Sequence, residues 1–268
     1  MVGPNGLATL LLLAQEIMKY IASIVFLFAM SFLQVLDAQV VNTERKRRTK
    51  GDNGWDGSAD LGFSIVQNTR SIITGSSKIN VQYDNKQHML LLLNDLKLMK
   101  VDQASLQNSG FQHIRYNYKF RKYLIPEAFV QGQFNQLWKV DFRFLAGVGP
   151  RFQLLSNDST RIHVGTLVMY EFERVDKGLE YNRDFRFSTY GSVGFGLGKS
   201  LTLENITYFQ PLIKDIYDFR VSSETSVRVA VSKKLGFKTG FTFNYDTQPA
   251  EGLPDVFYSF VNSLSYRF

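Results

Sequence analysis

The sequence predicts an all-β protein, a transmembrane antiparallel up-and-down β-barrel of about 12 strands. Three observations predict it. Apolar and polar residues alternate strictly in segment after segment beyond residue 53. Short turn-like breaks between these segments alternate with longer ones. The last segment is aromatic on one face and ends in Phe268. A period of two is the strand period, because successive side chains leave a strand on opposite faces. No stretch beyond residue 38 is apolar enough to cross a bilayer as a helix, which takes ~20 residues.

The segments expected as strands run over residues 54–68, 72–83, 87–98, 109–121, 125–136, 138–155, 160–173, 184–197, 201–209, 216–231, 235–246 and 256–268. In 111–120, Ile114, Tyr116, Tyr118 and Phe120 share one face, and His113, Arg115, Asn117 and Lys119 the other. In 161–173, Ile162, Val164, Thr166, Val168, Tyr170 and Phe172 face away from His163, Glu171 and Glu173. In 234–246, Leu235, Phe237, Phe241, Phe243 and Tyr245 alternate with Lys238, Thr242, Asn244 and Asp246. The third segment is the least regular, since Met89–Leu93 is apolar on both faces. Asp84-Asn85-Lys86, Ser156–Ser159, Gly198–Ser200 and Ser232–Lys234 are tight breaks. Met99–Asn108, Arg174–Arg183, Gln210–Asp215 and Thr247–Asp255 are longer, while the breaks near Thr69 and Leu137 are short. Short turns at one rim and longer loops at the other fit an outer-membrane barrel.

The first 38 residues read as an address rather than as fold. Met18-Lys19, the apolar run Ile21–Leu33 and the small Ala38 describe a secretory signal peptide cut after Ala38. Residues 1–17 carry a second apolar patch, Leu7–Ala14, which leaves two accounts open: a true start at Met18, or a longer N-terminal anchor. Residues 39–52 form a basic periplasmic tail, with Arg45-Lys46-Arg47-Arg48 and Lys50, and 53–268 form the barrel. The expected home is the outer membrane of a Gram-negative cell.

Composition narrows the function. Apolar residues at 44% place the chain among globular proteins rather than disordered ones. The 23 Phe and 13 Tyr favour strands and interfacial belts. The absence of Cys excludes disulfides, thiolate metal sites and cysteine nucleophiles. A net charge of +7 admits nucleic acid, an anionic surface or an anion-lined pore. Nucleic acid would want a basic patch within a recognisable module, and none is present, so it is not an expected partner.

A hydrocarbon environment offers backbone amides no hydrogen bonds, so only helices or closed sheets span it. The apolar face then meets lipid and the polar face lines the lumen. That lumen face carries Arg115, Lys119, Asp141, Arg143, Arg151, Glu171, Glu173, Asp184, Arg186, Arg220, Glu224, Arg228, Lys238 and Arg267. A hairpin centred near Asn157-Asp158 places Arg143 opposite Glu171 or Glu173. A loop centred near Gly178 places Arg186 opposite Glu171, and Asp184 opposite Glu173. An Arg143–Glu171–Arg186 network across three strands follows, within a charged set that also holds Glu173, Asp184, Arg220, Glu224 and Arg228. Eight-stranded barrels are packed solid and those of about sixteen hold a channel, so about twelve predicts a narrow or occluded lumen.

The closing strand carries Tyr258, Phe260, Leu264, Tyr266 and Phe268 on one face and resembles the outer-membrane assembly signal. Gly54-Trp55-Asp56-Gly57 with Leu61-Gly62-Phe63 resembles the opening strand of the YdiY-like family. Phe144-Leu145-Ala146-Gly147-Val148-Gly149-Pro150-Arg151 resembles its central glycine-rich strand. Gln210-Pro211-Leu212 with Asp215, Tyr217 and Phe219 resembles its late loop, and Tyr245-Asp246-Thr247-Gln248-Pro249 its last hairpin. The resemblance covers Trp55 to Phe268. It implies a salt-induced outer-membrane protein whose domain is of unknown function, and it brings no catalytic residues.

No constellation of nucleophile, base and orienting acid is visible around His88, His113 or His163. Gly191, Gly194, Gly196 and Gly198 lack the helix a phosphate loop needs, and read as strand packing or curvature. Asp246, Glu251 and Asp255 admit weak cation binding in the last loop but match no calcium spacing. The expectation is therefore a non-enzymatic barrel without cofactor or metal, of envelope-structural or narrow-channel type. A lipid- or lipopolysaccharide-modifying enzyme and a surface-loop adhesin are the alternatives. Outer-membrane lipid, lipopolysaccharide and the assembly machinery are the expected partners, with other envelope proteins open.

Overall fold

The computed structural model describes residues 53–266 apart from 68–69, 103, 106–107, 176–179, 199 and 233–234. The signal peptide, its cut after Ala38, the basic tail, Arg267 and Phe268 lie outside the described residues.

The strands are β1 (Gly54–Gln67), β2 (Ser71–Asp84), β3 (His88–Val101), β4 (Ala104–Ser105), β5 (Ser109–Tyr118), β6 (Leu124–Asn135), β7 (Val140–Ser156), β8 (Thr160–Val175), β9 (Glu180–Leu197), β10 (Leu201–Pro211), β11 (Phe219–Ala230), β12 (Leu235–Asp246) and β13 (Val256–Tyr266). The two-residue β4 only pairs back onto the tip of β3. The other twelve follow one another in chain order, every neighbour antiparallel, in one sheet from β1 to β13. This is the up-and-down, twelve-strand, all-β meander that the alternation predicts. β1 and β13 form its two edges, and no ladder joins them among the described residues.

Pairing extends further into the loops than the sequence suggests. β8 and β9 stay paired up to Val175 and Glu180, so the loop expected over Arg174–Arg183 shrinks to residues 176–179. Near Leu137 the short connection is a single 3-10 turn, Gln136–Trp138, capped by the Asn135 side chain, which accepts from the Leu137 and Trp138 amides. The longer connections 212–218 and 247–255 lie at one rim. At the other rim sit the 85–87, 157–159 and 198–200 turns, and here Gly198 takes φ +57, a left-handed position that costs glycine little. The sheet is strongly curled. It brings Trp138 edge-on to Phe257 of β13, centroids 5.0 Å apart, and Lys139 Nζ donates to the Glu251 carbonyl at 2.6 Å.

The two faces are inverted relative to a water-soluble sheet. Outward-facing Val148 is 63% exposed, and Ile114, Tyr116, Val130, Val168 and Phe241 are exposed with it. Inward-facing Arg143 is 2% exposed, and Arg115, Arg151, Glu171, Glu173 and Arg186 are equally buried. Charged residues are almost never fully buried unless paired, and contiguous exposed apolar surface marks contact with something apolar. Outward aromatics cluster toward the long-loop rim as Phe142–Phe172, Tyr170–Phe185, Phe209–Phe219 and Phe219–Tyr245 pairs, 5.3 to 6.4 Å apart. Trp55–Tyr83 and Tyr118–Phe120 lie toward the short-turn rim. Two aromatic girdles around an aliphatic band are the exterior of a membrane barrel.

The apolar run of β3 resolves by register. Leu91 stands opposite Arg115, and Leu93 opposite His113, so Met89, Leu91 and Leu93 point inward while Leu90 and Leu92 point out. Leu91 and Leu93 pack with Phe111 in a small apolar cluster inside the sheet.

Candidate functional site

Glu171 of β8 is the centre of the inward charge cluster. Arg143 Nε of β7 lies 3.1 Å from its Oε1, Arg186 Nε of β9 donates to Oε2 at 2.7 Å, and Arg220 Nη1 of β11 donates to Oε1 at 2.6 Å. Arg143 also pairs with Glu173, to which Arg220 Nη2 donates at 3.0 Å. Arg220 Nε continues to Asp246 of β12, and Arg186 Nη1 to Asp218 of the β10–β11 loop, both at 3.0 Å. The Arg143–Glu171–Arg186 chain expected from hairpin register is present, and Arg220 crosses two intervening strands to join it.

Its pairing pattern differs from the expected one. Arg143 stands opposite Glu173, one of its two expected partners, so the departure lies across β8–β9 alone. Across β8–β9 the register is shifted by two residues: Asp184 is opposite Glu171, Asn182 opposite Glu173, and Arg186 opposite Met169. The pairing continues to Val175 opposite Glu180, which centres the hairpin one residue earlier than expected. Arg186 still reaches Glu171 diagonally, since a diagonal neighbour on the same face lies only ~7–8 Å away. Asp184, facing a like-charged neighbour, takes Lys214 of the β10–β11 loop at 2.5 Å instead. Glu224 and Arg228 face inward on the same strand as Arg220, opposite Thr242 and Lys238. At the strand rise they lie roughly 13 and 26 Å along β11 from Arg220, too far for one cluster. Arg228 is exposed near the short-turn rim. Tyr266 ends β13 facing outward beside Leu235.

A second inward cluster was not foreseen. Glu127 of β6 accepts from Tyr190 Oη at 2.8 Å, Asn117 Nδ2 at 2.9 Å and Arg115 Nη1 at 3.5 Å. Arg151 Nη1 donates to Tyr190 Oη at 2.9 Å, and His113 Nδ1 meets Gln131 Oε1 at 2.8 Å. Tyr190 reaches this place because Gly165 lies opposite it on β8, and its ring carbons come within 2.3 Å of where a Cβ on Gly165 would sit. Gly165→Val therefore pushes the ring off Glu127 and Arg151, and should cost about 1–3 kcal/mol, read from the urea midpoint of the folded protein. Wild-type stability in that variant would show that the ring has another seat.

Between the clusters lies an apolar layer of Phe129, Leu145, Leu167, Met169, Ile206 and Tyr208. Cavities of about 20 Å³ beside Glu171 and about 60 Å³ under the 247–253 segment leave room there for a few waters. The β5–β11 side of the interior is thus packed. Among the described residues, no group of three or more His, Asp or Glu is placed to hold a metal ion. Asp246, read from sequence as part of a cation loop, pairs instead with Arg220. The histidines do not converge: His113 is buried inside, His163 faces inward further down β8, and His88 Nδ1 bonds Tyr116 Oη at 2.7 Å on the outer face.

Twelve antiparallel strands with an apolar exterior and a guanidinium–carboxylate interior define the transmembrane β-barrel class. Within that class, the chain belongs to the family described as "Protein of unknown function, DUF481", whose model matches residues 59–268. Among solved structures it is similar to that of the NanC porin, with 9% identity, a TM-score of 0.44, and coverage of 80% of this chain and 98% of that one. No curated relative matches it.

Proposed function

We propose that the protein is a non-enzymatic outer-membrane β-barrel of envelope-structural or narrow-channel type. The inverted faces carry this: exposed Val148, Val168 and Phe241 outside, buried Arg143 and Glu171 within. In a bilayer the two free edges pair with each other, because each unsatisfied backbone group in hydrocarbon costs several kcal/mol. Export by the signal ending at Ala38 and assembly through the Tyr266–Phe268 end bring it there, with lipid and lipopolysaccharide as its surroundings. Arginine and glutamate fill one side of the interior, which favours a narrow path over a wide pore.

Membrane fractionation with heat-modifiable gel mobility, followed by planar-bilayer recording, tests this. The expected result is a compact band in the outer-membrane fraction that shifts on boiling, with small unitary conductance or none. A soluble periplasmic species of unchanged mobility overturns the barrel. A mass shift of purified lipid A incubated with the protein would replace the non-enzymatic assignment with a catalytic one.

A further inference from the structure

The interior is unevenly furnished. From β5 to β11 the inward positions carry Arg115, Arg151, Tyr190, Glu171 and Arg220, all buried. Midway along β12, β13, β1 and β2 they include small groups, Gly240, Ser259, Ser263, Ser58, Gly62 and Ser76, while Gln82, Asn244 and Asp246 nearer the strand ends are buried. A twelve-strand barrel with strands ~4.8 Å apart and tilted ~40° has a backbone diameter of roughly 24 Å. Long side chains rooted on one side fill that side and leave the other open. Lys78, inward on β2 opposite Asp60, pairs along the wall with Asp95 of β3 at 3.4 Å.

We infer that a one-sided aqueous cleft lies along the middle of the β12–β13–β1–β2 wall, and that it is the permeation path, while the charged cluster on β5–β11 is a fixed buttress. This rests on the narrow-channel reading and assigns that path a place and a chemistry. The wall is polar, small and of mixed charge, with Asp56 and Asp60 of β1 set against Lys78 and Lys238. It suits small hydrated solutes and ions, with weak preference between anions and cations.

The chain has no cysteine, so single-cysteine variants are direct probes. Ser76→Cys and Gly240→Cys sit on the proposed cleft wall. Met169→Cys and the near-isosteric Ser188→Cys sit inward on the packed side, where both parent residues are buried. Each refolded, heat-modifiable variant is reconstituted in phosphatidylcholine vesicles, treated with a charged methanethiosulfonate, and read by intact mass and by conductance. Cleft positions should react at least about tenfold faster than packed ones, because a buried thiol must wait for local opening. Modification at Ser76→Cys or Gly240→Cys should also cut any conductance by half or more. Equal labelling of the two sets, or block of conductance from Ser188→Cys and not from Gly240→Cys, overturns the inference. One-sided labelling in a protein that conducts nothing upholds the cleft and overturns the channel.

Discussion

Replacing Glu171 by Gln should lower the stability of the folded protein by about 3–5 kcal/mol, the cost of breaking a buried ion pair by removing one partner. Glu171 is within 3.1 Å of Arg143, 2.7 Å of Arg186 and 2.6 Å of Arg220. Removing its charge leaves three guanidiniums facing an amide that carries donors of its own. Glu173, Asp246 and Asp218 hold other faces of those arginines and cannot swing to the vacated place while remaining paired. Asp184→Asn is the matched control. That carboxylate pairs with Lys214, which is 72% exposed, and exposed pairs contribute ~0–1 kcal/mol. Urea titration in lipid vesicles, followed by the heat-modifiable band and by the fluorescence of Trp55 and Trp138, reads both. Equal midpoints for the two variants would show that the cluster around Glu171 is not structural.

The outer face yields the second large effect. Val168 sits midway along β8, exposed and facing outward. An arginine on the lipid face at the bilayer midplane costs about 2–4 kcal/mol, so Val168→Arg should lose that much in the same assay. Ser76→Arg, directed into the proposed cleft, should stay within ~0.5 kcal/mol, as a substitution in an aqueous setting does. A Val168→Arg variant as stable as the parent would mean that this face meets water or protein rather than acyl chains, and the membrane assignment would fall.

Which face each residue takes was legible in the sequence, because the strand period makes it a local property. Tyr116 and Arg115 could be assigned to opposite sides from their neighbours alone, and β12 spans the residues 235–246 expected for it. Cross-strand partners were less legible, since they depend on where each connection centres. At β8–β9 a shift of two residues moved Asp184 beside Glu171 and Arg186 beside Met169. The network survived because the arginine side chain spans the difference. The Glu127–Tyr190–Arg151 cluster was out of reach for another reason. Its members stand on β6, β9 and β7, and they meet only because the sheet curls, which no periodicity encodes. The glycine at 165 was the available signal, a missing side chain opposite a large one. Inward Leu91 and Leu93 defied the expected polar lumen because they pack on Phe111 rather than face water.

Every long ladder in this sheet joins strands adjacent in the chain, apart from the short excursion through β4. Loop-closure entropy is therefore spent in small instalments as hairpins form one after another. The contact from Lys139 to Glu251 departs from that economy, since it joins residues 112 positions apart. It cannot form until six strands between them are in place, which makes this clasp at the rim a late event in folding and a natural reporter of its completion.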